Sequence, residues 1–297
     1  METSERIMRE LNAFMDEHQE DLDNGMDLDE LLRMFNETGR NKPMDESNAA
    51  TAEDFAELAM NERQSEKRGE YARKALELDP HNIDAGLMLA VTKDEEETYQ
   101  NLQKLKADAW NQLEKGGFTG EDSIGHFYQI VETRPYLRVL EMIAEFQFHA
   151  GRHQDAVEIY EEMIRLNEDD NRGARVNLMV IYAIHEMEDK ALALQEKYGE
   201  YDETASMLIL SILYYKKMDY RMAKKYLRRL LRINRETDKF LKCYYQGDLP
   251  SIRKEISEYG YHPFTAEELL VLYEEGMSQL LDSVRNSYPE WVFYVTR

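Results

Sequence analysis

The stretch Leu137-Arg-Val-Leu-Glu-Met-Ile-Ala-Glu-Phe-Gln-Phe-His-Ala-Gly-Arg-His-Gln-Asp-Ala-Val-Glu-Ile-Tyr160 decides how the rest of the chain is read. Large apolar residues at Leu140 and Ile143 are followed by the small Ala144, a glycine at Gly151, the small Ala156 and the aromatic Tyr160. Counted from Leu137 these are positions 4, 7, 8, 15, 20 and 24 of a helix–turn–helix unit of 34 residues. The pattern has a steric origin. Two antiparallel helices touch only where small side chains let them, and bulky residues fill the space beside the contact.

This spacing is that of a tetratricopeptide repeat, and further copies lie on both sides of it. Upstream, Ala52 to Pro80 carries Phe55, Ala56, Ala59 and Ala75 in register and ends in a typical Tyr71–Pro80 helix; Arg68 stands where a small residue is expected. Downstream, a third copy starts near Arg172 with Leu178, Met179, Tyr182 and Ala191. A fourth starts at Thr204 with Met207, Leu210, Ser211, Tyr214, Ala223 and Leu230. Residues 82–115 read as helical, and Gly116, Gly117 and Gly120 end that stretch. Asp238–Tyr245 and Leu249–Tyr259 read as a further helix pair, and Thr265-Ala-Glu-Glu268 as the capping-box start of a closing helix through Leu280. No segment alternates as a strand does. The expected fold is all-α, a tetratricopeptide-repeat helical solenoid with capping C-terminal helices. Its expected segments are 1–49 (acidic helices and a linker from Gly39 to Thr51), 50–133 (degenerate first repeat and connecting helices), 134–235 (three repeats) and 236–297 (helix pair and cap).

Hydrophobic residues make up 42% of the 297, enough for a sizeable core. The net charge of −23 argues against nucleic acid or an anionic membrane as partner. Cys243 is the one cysteine, so no internal disulfide is expected. The start lacks the basic-then-apolar pattern of a signal peptide, and a cytoplasmic location is expected. The charge is uneven: residues 1–62 hold 18 acidic and 5 basic side chains, whereas residues 216–235 hold nine Lys or Arg and one Asp.

Four strings are more specific than the repeat pattern: Glu132-Thr-Arg-Pro-Tyr-Leu-Arg138, Leu166-Asn-Glu-Asp-Asp-Asn-Arg-Gly173, Tyr198-Gly-Glu-Tyr-Asp-Glu-Thr204 and Tyr259-Gly-Tyr-His-Pro-Phe-Thr-Ala-Glu-Glu268. On these the chain, over roughly residues 50–297, resembles bacterial tetratricopeptide proteins of the suppressor-of-tumorigenicity-seven-like type. The resemblance implies a repeat scaffold and carries over no catalytic residue. Some relatives look to have a short Cys-rich metal-binding motif, which a chain with Cys243 alone cannot supply.

By analogy with other proteins built from this repeat, the first helix of each unit lines a groove. The groove candidates are Arg138, Glu141, Glu145, Phe148 and His149 in the second repeat, and Leu208, Ile212, Tyr215 and Lys216 in the fourth. A peptide would lay apolar side chains on Phe148, Leu208, Ile212 and Tyr215 and offer a carboxylate to Arg138 or Lys216; the alternative is that C-terminal helices cover these positions. A second candidate is a basic stripe. Arg221, Lys225, Arg228 and Arg232 share one helix face, either as a solvated surface or as a dock for the acidic first 40 residues. Asp21–Glu30 imitates a calcium loop, but Leu22 and Leu31 fall at ligand positions. His149 and His153 have zinc-ligand spacing with a turn between them and no evident third ligand. With no phosphate loop, HExxH or GxSxG, neither a catalytic residue, a metal nor a cofactor is expected. The expected role is a non-enzymatic scaffold that binds a protein or peptide. The alternative is a peptide-gated regulator in which ligand binding releases the acidic N-terminal segment.

Overall fold

A computed structural model describes residues 3–200, 202–257 and 260–297, with side chains from Glu5 onward. Tyr201 and Tyr259, which belong to two of the strings above, lie outside the described residues; the helix expected over Leu249–Tyr259 ends at Arg253, short of that gap. The chain forms two compact units, one ending at Asn171 and one running Arg172–Arg297. Among the described residues there is no strand; the fold is all-α and built of helical repeats.

The first unit contains α1 (Thr3–Glu17), α2 (Gln19–Asp23), α3 (Leu28–Thr38), α4 (Ala52–Asn61), α5 (Ser65–Leu78), α6 (Ile83–Ala90), α7 (Glu95–Gly116), α8 (Arg134–His149) and α9 (His153–Leu166). Helices α8 and α9 are the repeat first recognised. Leu140, Ile143, Ala144 and Ala156 are fully buried, and Tyr160 is nearly so. Helices α4 and α5 form the degenerate repeat, where Ala72 is buried and the off-pattern Arg68 is exposed. The helical stretch expected over 82–115 is divided into α6 and α7. Asp94 caps α7 by accepting from the Glu97 amide at 2.8 Å, which stops the chain from continuing straight out of α6. The Gly39–Thr51 segment is held to the unit, since its Arg40 and Lys42 carbonyls accept from Arg6 and Glu46 accepts from the Tyr71 hydroxyl.

The second unit contains α10 (Ala174–Ile184), α11 (Glu188–Tyr198), α12 (Thr204–Lys216), α13 (Tyr220–Ile233), α14 (Thr237–Gln246), α15 (Leu249–Arg253), α16 (Ala266–Leu272), α17 (Ser278–Asp282) and α18 (Ser287–Val295). The first four are repeats three and four. Every residue of α12 from Thr204 to Tyr214 is buried, so this helix is enclosed on all sides. The closing helix is not continuous to Leu280. It gives way to a wide turn at Tyr273–Met277, and a Cβ on Gly276 would stand 2.3 Å from Asn177 Oδ1 of α10. A larger residue there would require the Asn177 side chain to move.

The same turn closes repeats two, three and four. Position 15 adopts a left-handed conformation in each: Gly151 (φ 74°), Glu186 (φ 57°) and Met218 (φ 59°). The next amide then bonds back five residues, Arg152 to Gln147, Met187 to Tyr182 and Asp219 to Tyr214. This is the Schellman closure of a helix. It sets the register of the third repeat at Arg172. Only Gly151 takes this conformation without steric cost. Met218 is 74% exposed and loses no packing on truncation. We expect Met218→Gly to stabilise the protein by about 0.5–1 kcal/mol and Met218→Val to destabilise it, as read from thermal melts.

Candidate interaction site

Helix α8 starts at a fixed point. Thr133 donates to the Ile130 carbonyl at 2.9 Å and Pro135 occupies the first turn. Arg134 and Arg138 then lie one turn apart on a single face, 8% and 7% exposed. Arg134 donates to the Tyr128 carbonyl at 2.7 Å and lies over the Tyr128 ring. Arg138 is gripped from two sides. Its Nε and one terminal nitrogen meet the two Asp84 oxygens of α6 at 2.9 and 3.0 Å, the paired geometry that suits a guanidinium. Its other terminal nitrogen meets Glu5 Oε1 of α1 at 2.7 Å, and Arg134 approaches the same oxygen at 3.7 Å.

The neighbouring residue of α1 makes the reverse exchange. Arg6 pairs with the buried Glu57 of α4 at 2.7 Å and donates to the Arg40 and Lys42 carbonyls at 2.6 Å each. Thus α1 gives a carboxylate to α8 and takes one from α4. The rest of its apolar face is covered by α3, where Phe14, Leu31 and Phe35 form a small core. The fit is incomplete at three atoms. Glu5 Oε2, Glu57 Oε1 and Arg9 Nε are buried without a hydrogen-bond partner. Arg9 borders a cleft of about 330 Å³ with Glu53, His81, Asp84 and Glu132 on its walls.

Each sequence candidate now has a place. Arg138 is not open to an incoming peptide, because its donors already hold Glu5 and Asp84. Glu141 and Glu145 are half-buried on α8 and His149 is exposed. Phe148 is 2% exposed and stacks on the His153 ring at 5.3 Å. In the second unit Leu208 and Ile212 are 2% and 0% exposed, inside the enclosed α12, which α16 and α17 touch. Tyr215 is half-buried among Tyr220, Tyr288 and Trp291. Lys216 donates to the Ala183 and Ile184 carbonyls at 3.0 and 2.6 Å, so it caps the end of α10 rather than facing a ligand. Burial lowers its pKa. Arg221, Lys225, Arg228 and Arg232 are all exposed along α13. Sequence reasoning missed Glu5 and Asp84, the partners of Arg138, since 133 and 54 residues separate each from it.

A family model for the tetratricopeptide repeat matches residues 205–237, which cover α12 and α13. The comparison with curated proteins returns no match. The chain therefore carries a tetratricopeptide repeat within an all-α repeat fold. No described helix is long and apolar enough to cross a membrane.

Removing one member of a buried ion network leaves charge uncompensated. Arg138→Ala removes the paired donors from Asp84 and the shortest ion pair of Glu5, and we expect it to cost about 3 kcal/mol in chemical denaturation. The network also sets an acid limit. Burial pushes the Asp84 carboxyl up, but the positive charge around it, that of Arg138 foremost, outweighs burial and holds it below the usual 3.8. A carboxyl depressed in the folded state stabilises above its unfolded pKa, and the contribution fades as pH falls through the folded value. Wild type should therefore out-melt Asp84→Asn at about pH 6, and the margin should begin to shrink once the pH falls below the ordinary 3.8 of an aspartate.

Proposed function

We propose that the protein is a non-enzymatic interaction scaffold whose first unit recognises a helix carrying a carboxylate, and that α1 is the resident occupant of that site. The observation that carries this reading is the Arg138–Glu5 pair. The α8 residue that the repeat pattern assigns to a ligand carboxylate already holds one, presented on a helix of the same chain. The orphaned atoms around α1 support exchange. Each buried polar atom left unpaired costs about 1–3 kcal/mol, so a ligand helix that satisfies them competes with α1 on favourable terms. Ligand binding then releases the acidic N-terminal segment, which unites the scaffold and gated-regulator readings in one site. The four strings quoted above support a place beside bacterial suppressor-of-tumorigenicity-seven-like repeat proteins, and with it a cytoplasmic setting.

Glu5→Gln tests this without removing Asp84 from Arg138. We expect amide hydrogen exchange in α1 to quicken about tenfold or more, the equivalent of one charge-assisted hydrogen bond. A labelled peptide of residues 3–24 should then bind in trans to the Glu5→Gln protein and not to the double variant with Arg138→Met. Unchanged exchange together with no peptide binding would make α1 a permanent part of the first unit and sink the proposal.

A further inference from the structure

Helix α13 presents a charge face that the rest of its unit leaves open. Among the described residues Arg221, Arg228 and Arg232 of α13, and Arg235 just past its end, are exposed and make no ion pair with a carboxylate, whereas Arg229, on the opposite flank, pairs with Asp202. In a chain of net charge −23, with carboxylates in excess, unneutralised arginines gathered on one face are an informative exception. Beside them runs an open groove of about 650 Å³ between α13, α14 and α18. Its floor and walls include Leu231, Tyr245, Val292 and Phe293. Tyr245 is 42% exposed and meets the edge of the Phe293 ring at 6.1 Å.

Helical geometry joins the two features. Arg228 is three residues before Leu231 and so lies next to it along α13, while Arg235 follows just past the extended Asn234 that ends the helix. Arg297 closes the far end of the groove. The acids nearby are already engaged: Asp238 by Lys242, and Glu290 by the Tyr245 hydroxyl. The groove therefore has an apolar floor and a rim of free cations.

We propose that this groove docks an acidic amphipathic helix of a partner protein, with apolar side chains against Leu231, Tyr245 and Phe293 and carboxylates against Arg228, Arg235 and Arg297. A helix suits the site because one face of an amphipathic helix can lie on the apolar floor while its acidic flank meets the cations beside it. A polyphosphate chain fits less well, since the long-range field of so acidic a protein repels it while a few carboxylates on a helix are repelled little. The site is separate from the α1 site of the first unit and uses none of its residues.

The test uses the full chain and a synthetic, roughly 18-residue helix-forming peptide with Leu and Phe at i, i+3, i+4 spacing, a few Glu flanking that stripe and Ala or Gln elsewhere. Its Lys-for-Glu counterpart and an apolar-free polyglutamate serve as controls. Fluorescence anisotropy should show binding of the acidic amphipathic peptide that weakens at least about tenfold in Arg228→Glu/Arg235→Glu and in Phe293→Ala, and that falls with added salt. The substituted arginines are exposed and unpaired, so circular dichroism should show an unchanged fold. Glu5→Gln, which loosens α1, should leave this affinity unchanged; a rise would assign the peptide to the first unit and overturn the proposal. Equal binding of the Lys peptide, or of polyglutamate, would also overturn it, the latter by reducing the groove to a generic cationic patch. So would self-association of the protein that accounts for the signal, or no binding at all.

Discussion

A small residue on one helix must lie against a small residue on the next, and the repeat architecture follows from that contact. Repeat four shows it directly: the Ser211 hydroxyl donates to the Ala223 backbone carbonyl at 3.1 Å, a distance possible only where the two helices nearly touch. The equivalent positions of repeat two, Ala144 and Ala156, are both fully buried. A larger side chain at either place would push the helices apart and cost about 1–3 kcal/mol in a close-packed core. Once the hairpin closes this tightly, the loop between its helices has little freedom. It must reverse within a few residues, which forces the left-handed turn found at Gly151, Glu186 and Met218. Two of those three residues are poorly suited to the conformation, so packing outranks local preference here.

Charge is handled differently in the two units. In the first, cations are drawn inside and neutralised. Arg6, Arg134 and Arg138 are each less than a tenth exposed, and their partners Glu5, Glu57 and Asp84 are as deeply buried. Networks of this kind add little net stability over apolar packing, but they penalise every misaligned arrangement. They therefore act on α1 as a register device, selecting the position in which Glu5 meets Arg138 and Arg6 meets Glu57 together. In the second unit the cations of α13 stay outside, and the ion pair of Arg229 with Asp202 is confined to one flank. Surface pairs of that kind contribute about 1 kcal/mol or less, so the face is free to be shaped by something other than stability.

The repeats were legible because they are local. Close approach demands small residues at fixed spacing, and that demand is written over a few dozen consecutive positions, as in Leu140–Tyr160 and Met207–Leu230. The basic stripe on α13 was legible for the same reason, since a helix brings residues three and four apart onto one face. Breaks were less visible. The division between α6 and α7 depends on Asp94 accepting one amide bond, and the turn at Gly276 packs beside Asn177 of a distant helix. Helix α18 was overlooked, although Tyr288 and Val292 have the four-residue spacing of one buried face.

What the sequence determined by itself was the class of fold, the register of repeats two and four and the position of the exposed cations, all consequences of spacing within a single helix pair. What only the tertiary structure decided was which faces are occupied. That Arg138 is held by Glu5 and Asp84, that Leu208 and Ile212 lie within an enclosed helix, and that Lys216 caps α10 are all matters of pairing between distant segments. Spacing along the chain cannot encode them, because a buried charge takes whichever opposite charge the packing of whole helices delivers, and that packing is settled by the sum of many apolar contacts rather than by any local pattern.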